Sequence, residues 1–183
     1  MLFRSLFQLN YAYFLHRNNK LDECIPFYKR VIEIDDRMLE ARFNLADVYG
    51  KKGMHEQRLA EYMAIYKTKP DFPRIKVAIA SVYVKLNKLD KALPFLEDHI
   101  KDRPDDRRPL KTLASIYFNA KRYQDAIPLY ERLLEKYPKS IKEERSFYVQ
   151  SLLNTNQAPK AMKVLQSHLK QNPTDNRSEE HTS

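Results

Sequence analysis

Tryptophan is absent from the chain, cysteine occurs once and glycine only twice. A lone Cys24 excludes an intrachain disulfide and leaves the compartment open. Two glycines in 183 residues exclude a turn-rich sheet and the glycine-rich loops that cradle phosphates. No apolar run is long enough to span a bilayer, because Arg4, Gln8 and Asn10 interrupt the stretch from Met1 to His16. That stretch has no small-x-small cleavage site either, so it reads as a helix rather than a signal peptide. The five histidines form no i, i+4 pair and no cluster with cysteine or carboxylates at metal-ligand spacing. Neither H-E-x-x-H nor G-x-S-x-G occurs. Nothing therefore points to catalytic machinery, a metal or a cofactor, and the expectation is a protein that is not an enzyme.

What the chain does have is a beat. From Tyr117, steps of 34 residues lead back to Tyr83, Tyr49 and Leu15, and a step of 35 leads forward to Leu152. Ala114 follows the same spacing with Ala80, Ala46, Ala12 and Val149, and Pro138 follows it with Pro104, Pro70, Asp36 and Pro173. A period of this length marks one supersecondary unit written repeatedly, each copy burying its apolar side against the next. Between the two halves of each unit stand Asn19, Gly53, Asn87, Lys121 and Asn156. Asn and Gly enter the left-handed conformation cheaply, so four copies of the five encode a helix-ending turn at this point. Pro26, Pro94 and Pro128 share one phase and are expected in the first turn of the second helix, where a missing N–H does least harm. Pro70, Pro104, Pro138 and Pro173 should end that helix.

The marks Leu113, Ala114, Tyr117, Ala126, Tyr130 and Pro138, with their counterparts Ile79, Ala80, Tyr83, Ala92, Leu96 and Pro104, resemble the tetratricopeptide repeat. The resemblance covers residues 5–175. Its early Trp is missing throughout, and Arg58 stands where the other copies carry Cys24, Ala92, Ala126 and Ala161. That guanidinium should snorkel outward and loosen its repeat, while Cys24 should act as a small packing residue. The resemblance implies an all-α fold, an αα-solenoid of five helix-turn-helix repeats at 5–38, 39–72, 73–106, 107–140 and 142–175, stacked as a right-handed superhelix. Residues 1–176 form one array. Residues 177–183, RSEEHTS, break the pattern and resemble a translated sequencing adapter, so they are set aside as an artefact. The natural sequence is then expected to continue differently after Asn176, and the chain to be a fragment. If it were complete as it stands, it would be cytoplasmic.

In this family the first helices line a concave groove, and the resemblance carries certain positions into it. The ninth position is Tyr13, Asp47, Ser81 and Ser115, and the thirteenth is Arg17, Lys51, Lys85, Asn119 and Asn154. Arg74, Arg108 and Lys111 add further positive charge, against Glu40, Asp47 and Glu143. Together with a net charge of +9, this lining implies a protein or peptide partner of acidic character held by charge-assisted hydrogen bonds. The pattern that clamps chaperone C-terminal carboxylates is not met: the best window offers Leu9, Tyr13, Asn44, Arg74 and Ala78.

The function expected is thus a protein–protein interaction scaffold. A docking or regulatory segment of a larger truncated enzyme and an RNA-binding repeat are the other readings. Nucleic acid is disfavoured, because most tyrosines, including Tyr28, Tyr62, Tyr83 and Tyr130, fall on packing positions rather than being free to stack on bases. Phe3, Phe7, Val164 and Leu165 suggest self-association through apolar, uncovered ends.

Overall fold

A computed structural model describes residues 2–138 and 142–171. The described residues contain ten helices and no strand. They run in order as α1 (Leu2–Arg17), α2 (Leu21–Ile34), α3 (Leu39–Lys51), α4 (His55–Thr68), α5 (Ile75–Lys85), α6 (Leu89–Asp102), α7 (Arg107–Asn119), α8 (Tyr123–Lys136), α9 (Lys142–Asn154) and α10 (Ala158–Gln171). The fold is an all-α helical repeat of the solenoid class. Pro173 and the segment 177–183 lie outside the described residues.

The turn inside each repeat is the same in all five. Asn19, Gly53, Asn87, Lys121 and Asn156 have φ of 59°, 72°, 55°, 57° and 60°. Each lets the next N–H reach back to the carbonyl five residues earlier: Lys20 to Leu15 at 2.9 Å, Met54 to Tyr49 at 2.9 Å, and Lys88 to Tyr83, Arg122 to Tyr117 and Gln157 to Leu152 at 2.8 Å. The left-handed residue itself donates three residues back, as from Asn19 to His16 at 3.0 Å. This is the Schellman arrangement, which satisfies carbonyls that a helix end would leave unpaired. Lys121 adopts it without the help of Asn or Gly, so its side chain carries a local cost that the other four copies reduce. In that repeat the Arg122 guanidinium lies over the Tyr117 ring at 4.4 Å, joining the same two residues that share the backbone bond.

The chain divides into two compact units, residues 1–99 and 100–183. In the first, α1 packs on α2, α2 on α3, α3 on α4 and α4 on α5. Its buried residues fall into clusters shared by successive repeats. Ala12, Leu15, Cys24, Tyr28 and Val31 meet Ala41, Leu45, Val48 and Tyr49. Ala46, Tyr62 and Ile65 meet Ile75, Ile79 and Val82. Full burial of a side chain the size of Leu or Ile contributes roughly 1.5–3 kcal/mol, so cohesion comes from neighbour contacts rather than from one central core. In the second unit α7 packs on α8, α8 on α9 and α9 on α10, burying Leu113, Ala114, Tyr117, Ala126, Tyr130, Leu133, Tyr148 and Leu152.

Two expectations need correction. Pro26, Pro94 and Pro128 are the sixth residues of α2, α6 and α8, well past the first turn. Each must therefore leave the carbonyl four residues earlier, on Asp22, Asp90 or Gln124, without its helical donor. All three rings are exposed, so water reaches those carbonyls and the helices continue. The second concerns Arg74, which is not on a helix. Phe72 is held against Phe43 with ring centroids 5.7 Å apart, and its N–H closes a turn onto Lys69 at 3.0 Å. Pro73 has no N–H to give, Arg74 turns left-handed with φ 65°, and the helix starts at Ile75 rather than in register at Pro73.

Arg58 is accommodated by an exchange of volume. A Cβ on Gly50 would stand 2.8 Å from the Arg58 Cζ and Nη1 atoms. The guanidinium therefore lies across the bare Cα of Gly50, in α3, where the third and fourth repeats place Val84 and Phe118. It donates to the Tyr62 hydroxyl from Nη2 at 3.3 Å and lies 5.4 Å from that ring's centroid.

Replacing Lys121 by Gly removes the Cβ from the left-handed turn, so we expect a stabilisation of about 1 kcal/mol. Thermal unfolding checks it: the midpoint should rise, whereas a fall would mean that the turn is set by tertiary packing rather than by local backbone preference.

Candidate functional site

The expected groove residues separate into one group on each unit. In residues 1–99, Tyr13 and Arg17 stand near the end of α1, Asp47 and Lys51 on α3, and Ser81 and Lys85 on α5. The structure gathers Asp47 and Lys51 around His16, which is not one of the expected groove residues. Its ring is buried, with the Lys51 Nζ 2.8 Å from Nε2, the Asp47 Oδ2 3.2 Å from the same nitrogen, and the Tyr28 hydroxyl 3.5 Å from Nδ1. Lys51 Nζ also lies 3.5 Å from Asp47 Oδ2.

An ammonium can donate to Nε2 only when that nitrogen carries no proton. Burial is the largest influence on His16 and lowers its pKa from the ordinary 6.5; Lys51 lowers it further, against the opposing pull of Asp47. Neutral His16 thus accepts from Lys51, and Asp47 balances that ammonium. Burial likewise pushes the Tyr28 hydroxyl up and keeps it protonated. The sequence signal for His16 is its place in register with Gly50, Val84 and Phe118.

The other expected groove cations of this unit differ from Lys51. Arg17 and Lys85 are exposed at the last residues of α1 and α5, and neither pairs with a carboxylate among the described residues. Arg74 is also exposed, at the N-terminal boundary of α5. Ser81 turns its hydroxyl onto the Ala78 carbonyl at 2.7 Å. Tyr13 is half exposed.

In residues 100–183, Arg108, Lys111 and Ser115 recur at i, i+3 and i+7 along α7. Arg108 is exposed without a carboxylate partner among the described residues, but Lys111 is engaged by Glu144, which is 2% exposed, and by Glu143 at 3.8 Å. Burial of a carboxylate needs such a cation, so Lys111 is a structural counter-ion. Ser115 neighbours the buried Tyr130, whose pKa burial raises to about 12. Cys24 is fully buried, its Sγ donates to the Leu21 carbonyl at 3.1 Å, and burial raises its pKa, which suits packing rather than reactivity.

Comparison with known proteins bears on the family and the fold. The tetratricopeptide repeat family matches residues 7–37 and 39–72, residues 77–141, and residues 117–178. The chain belongs to that family, and its repeats make it a protein–protein interaction scaffold. Solved structures with the same fold include YrrB, described as a TPR protein with an unusual peptide-binding site, at 18% identity and a TM-score of 0.74 over 91% of this chain and 86% of that one. A MamA structure superposes with a TM-score of 0.80 at 15% identity over 98% and 97% of the two chains. MamA from Desulfovibrio magneticus RS-1 gives 0.74 at 15% identity over 91% and 93%. Comparison with curated protein sequences yields no match. No described helix is long and apolar enough to cross a membrane.

The His16 contacts predict a pH dependence. With a native pKa below the unfolded value, the folded state binds fewer protons, so the stability from neutral His16 is fully present above about pH 6.5 and declines as acid protonates it. Denaturant unfolding at pH 7.5 and 5.5 should show a loss in the native chain that is smaller in His16→Gln. An equal loss in both would remove His16 as the cause.

Proposed function

We propose that the first-helix face of residues 1–99 binds an acidic segment of a partner protein, in extended or helical form. The observation that carries this is the contrast within the cation set. Lys51 is spent on His16 and Asp47, whereas Arg17, Arg74 and Lys85 stand exposed with no carboxylate partner among the described residues. Cations on helix ends and a helix boundary are held by rigid backbone, which lowers the ordering cost of binding. Their attraction for carboxylates steers and selects a partner, and it weakens as salt screens exposed pairs. Peptide binding by a protein of the same fold, as in the description of YrrB, supports the reading. Arg108 on the second unit offers a further exposed cation of the same kind.

Fluorescence anisotropy with a labelled peptide rich in Asp and Glu tests the proposal. Arg17→Glu combined with Lys85→Glu should weaken binding by about tenfold while leaving helical content unchanged, and added salt should weaken the native complex. Tight binding of single-stranded RNA at physiological salt, with no affinity for the acidic peptide, would replace this reading by a phosphate-binding one.

A further inference from the structure

One register position carries a cation in three repeats and is satisfied in only two of them. Arg42 on α3 pairs through Nη1 with Glu61 Oε2 at 2.9 Å, and Lys76 on α5 pairs through Nζ with Asp98 Oδ2 at 2.7 Å. In both cases the carboxylate comes from the second helix of the same repeat. Arg145 on α9 occupies the equivalent place in the last repeat. There, however, the slot of Glu61 holds Val164 and the slot of Asp98 holds Ser167. The half-buried guanidinium has no carboxylate partner among the described residues. It turns instead to neutral acceptors, from Nη1 toward the His168 Nδ1 at 2.7 Å and from Nη2 to the Pro138 carbonyl at 3.1 Å.

Arg145 lines a cavity of about 350 Å³ between α8, α9 and α10. Lys163 on the rim is exposed and has no counter-ion among the described residues either. Among the described residues the only carboxylate in the lining is Glu131, which is already occupied by Lys160 Nζ at 2.5 Å and by the Tyr148 hydroxyl at 2.9 Å. Arg145, Lys160 and Lys163 against Glu131 leave the cavity with an excess of two positive charges.

We propose that this cavity binds a small molecule through its carboxylate or phosphate group, the ligand supplying the counter-ion that the last repeat omits. A guanidinium has five N–H donors in a planar fork, so Arg145 keeps donors for an oxyanion after serving His168 and Pro138. Lys163 adds a mobile charge, Ser167 a hydroxyl, and Leu134 and Val164 an apolar wall for the body of the ligand. The volume is at the lower end of the range for small-molecule sites. Partial burial strengthens the ion pair relative to one on an open surface. The site lies wholly within residues 100–183 and is independent of the face proposed for the acidic segment.

The test titrates the full chain with benzoate and with phenyl phosphate at constant ionic strength, followed by calorimetry. Saturable binding of one equivalent of either probe is expected, and the preferred probe identifies the oxyanion. Arg145→Gln should weaken that binding by at least about tenfold, the usual consequence of losing charge-assisted hydrogen bonds. Val164→Glu restores the carboxylate of the second repeat at its own position while keeping Arg145. It should raise the thermal midpoint and abolish probe binding. Absence of saturable binding to the native chain, or undiminished binding to Val164→Glu, overturns the proposal.

Discussion

Everything in this fold depends on how closely the two helices of a repeat can approach. Ala12 and Cys24 in the first repeat, Ala80 and Ala92 in the third, and Ala114 and Ala126 in the fourth are all buried to within about 1%. A larger side chain there would drive the helices apart, at a typical cost of about 1–3 kcal/mol for overpacking. Close approach brings the Tyr28 and Tyr130 rings into full burial one turn further on. Within residues 1–99 it also sets the spacing at which the following repeat docks, through Leu45 and Ile79 at one shared position. The faces that carry charge are positioned by this packing.

Much of this was legible from sequence because the determinants are local. Asn19, Asn87 and Asn156 announce a left-handed turn through their own chemistry, and the marks Ala114, Tyr117, Ala126 and Tyr130 report burial through size and periodicity. The less legible features are relational. Pro26, Pro94 and Pro128 look like first-turn prolines until the helix start is fixed, and their tolerance rests on exposure, which residue identity does not reveal. Arg74 leaves its helix because of a ring contact between Phe72 and Phe43 across elements. Phe7, Tyr11 and Phe14 are 72%, 41% and 59% exposed, at positions where Ala41, Leu45 and Val48 are buried by the preceding helix. Of the apolar ends expected from sequence, Leu165 is also well exposed and Val164 half-buried, while the Phe3 side chain lies outside the described residues.

The charged residues divide in the same way. A register of cations can be read from sequence, but which of them are neutralised depends on partners from other helices. Lys51 and Lys111 are absorbed by Asp47, His16, Glu143 and Glu144. Arg17, Lys85 and Arg108 are not, and Arg145 lacks the carboxylate its counterparts possess. A repeat protein offers an internal control for such comparisons, since each copy shows how the same position is satisfied elsewhere.

The central claim is that side-chain volume where the two helices of a repeat cross sets how closely they approach, and Gly50 with Arg58 provides the sharpest case because both depart from the pattern together. A double-mutant cycle on stability measures it directly. Gly50→Val alone should be destabilising, since the new side chain meets the Arg58 guanidinium, and Arg58→Ala alone should also be destabilising, since it leaves a gap above a bare Cα. The double variant rebuilds the Val84 and Ala92 pair of the third repeat and should recover most of both losses, with a coupling energy of about 1 kcal/mol or more. Strict additivity of the two single effects would contradict the account, because it would mean that the two positions do not share one volume.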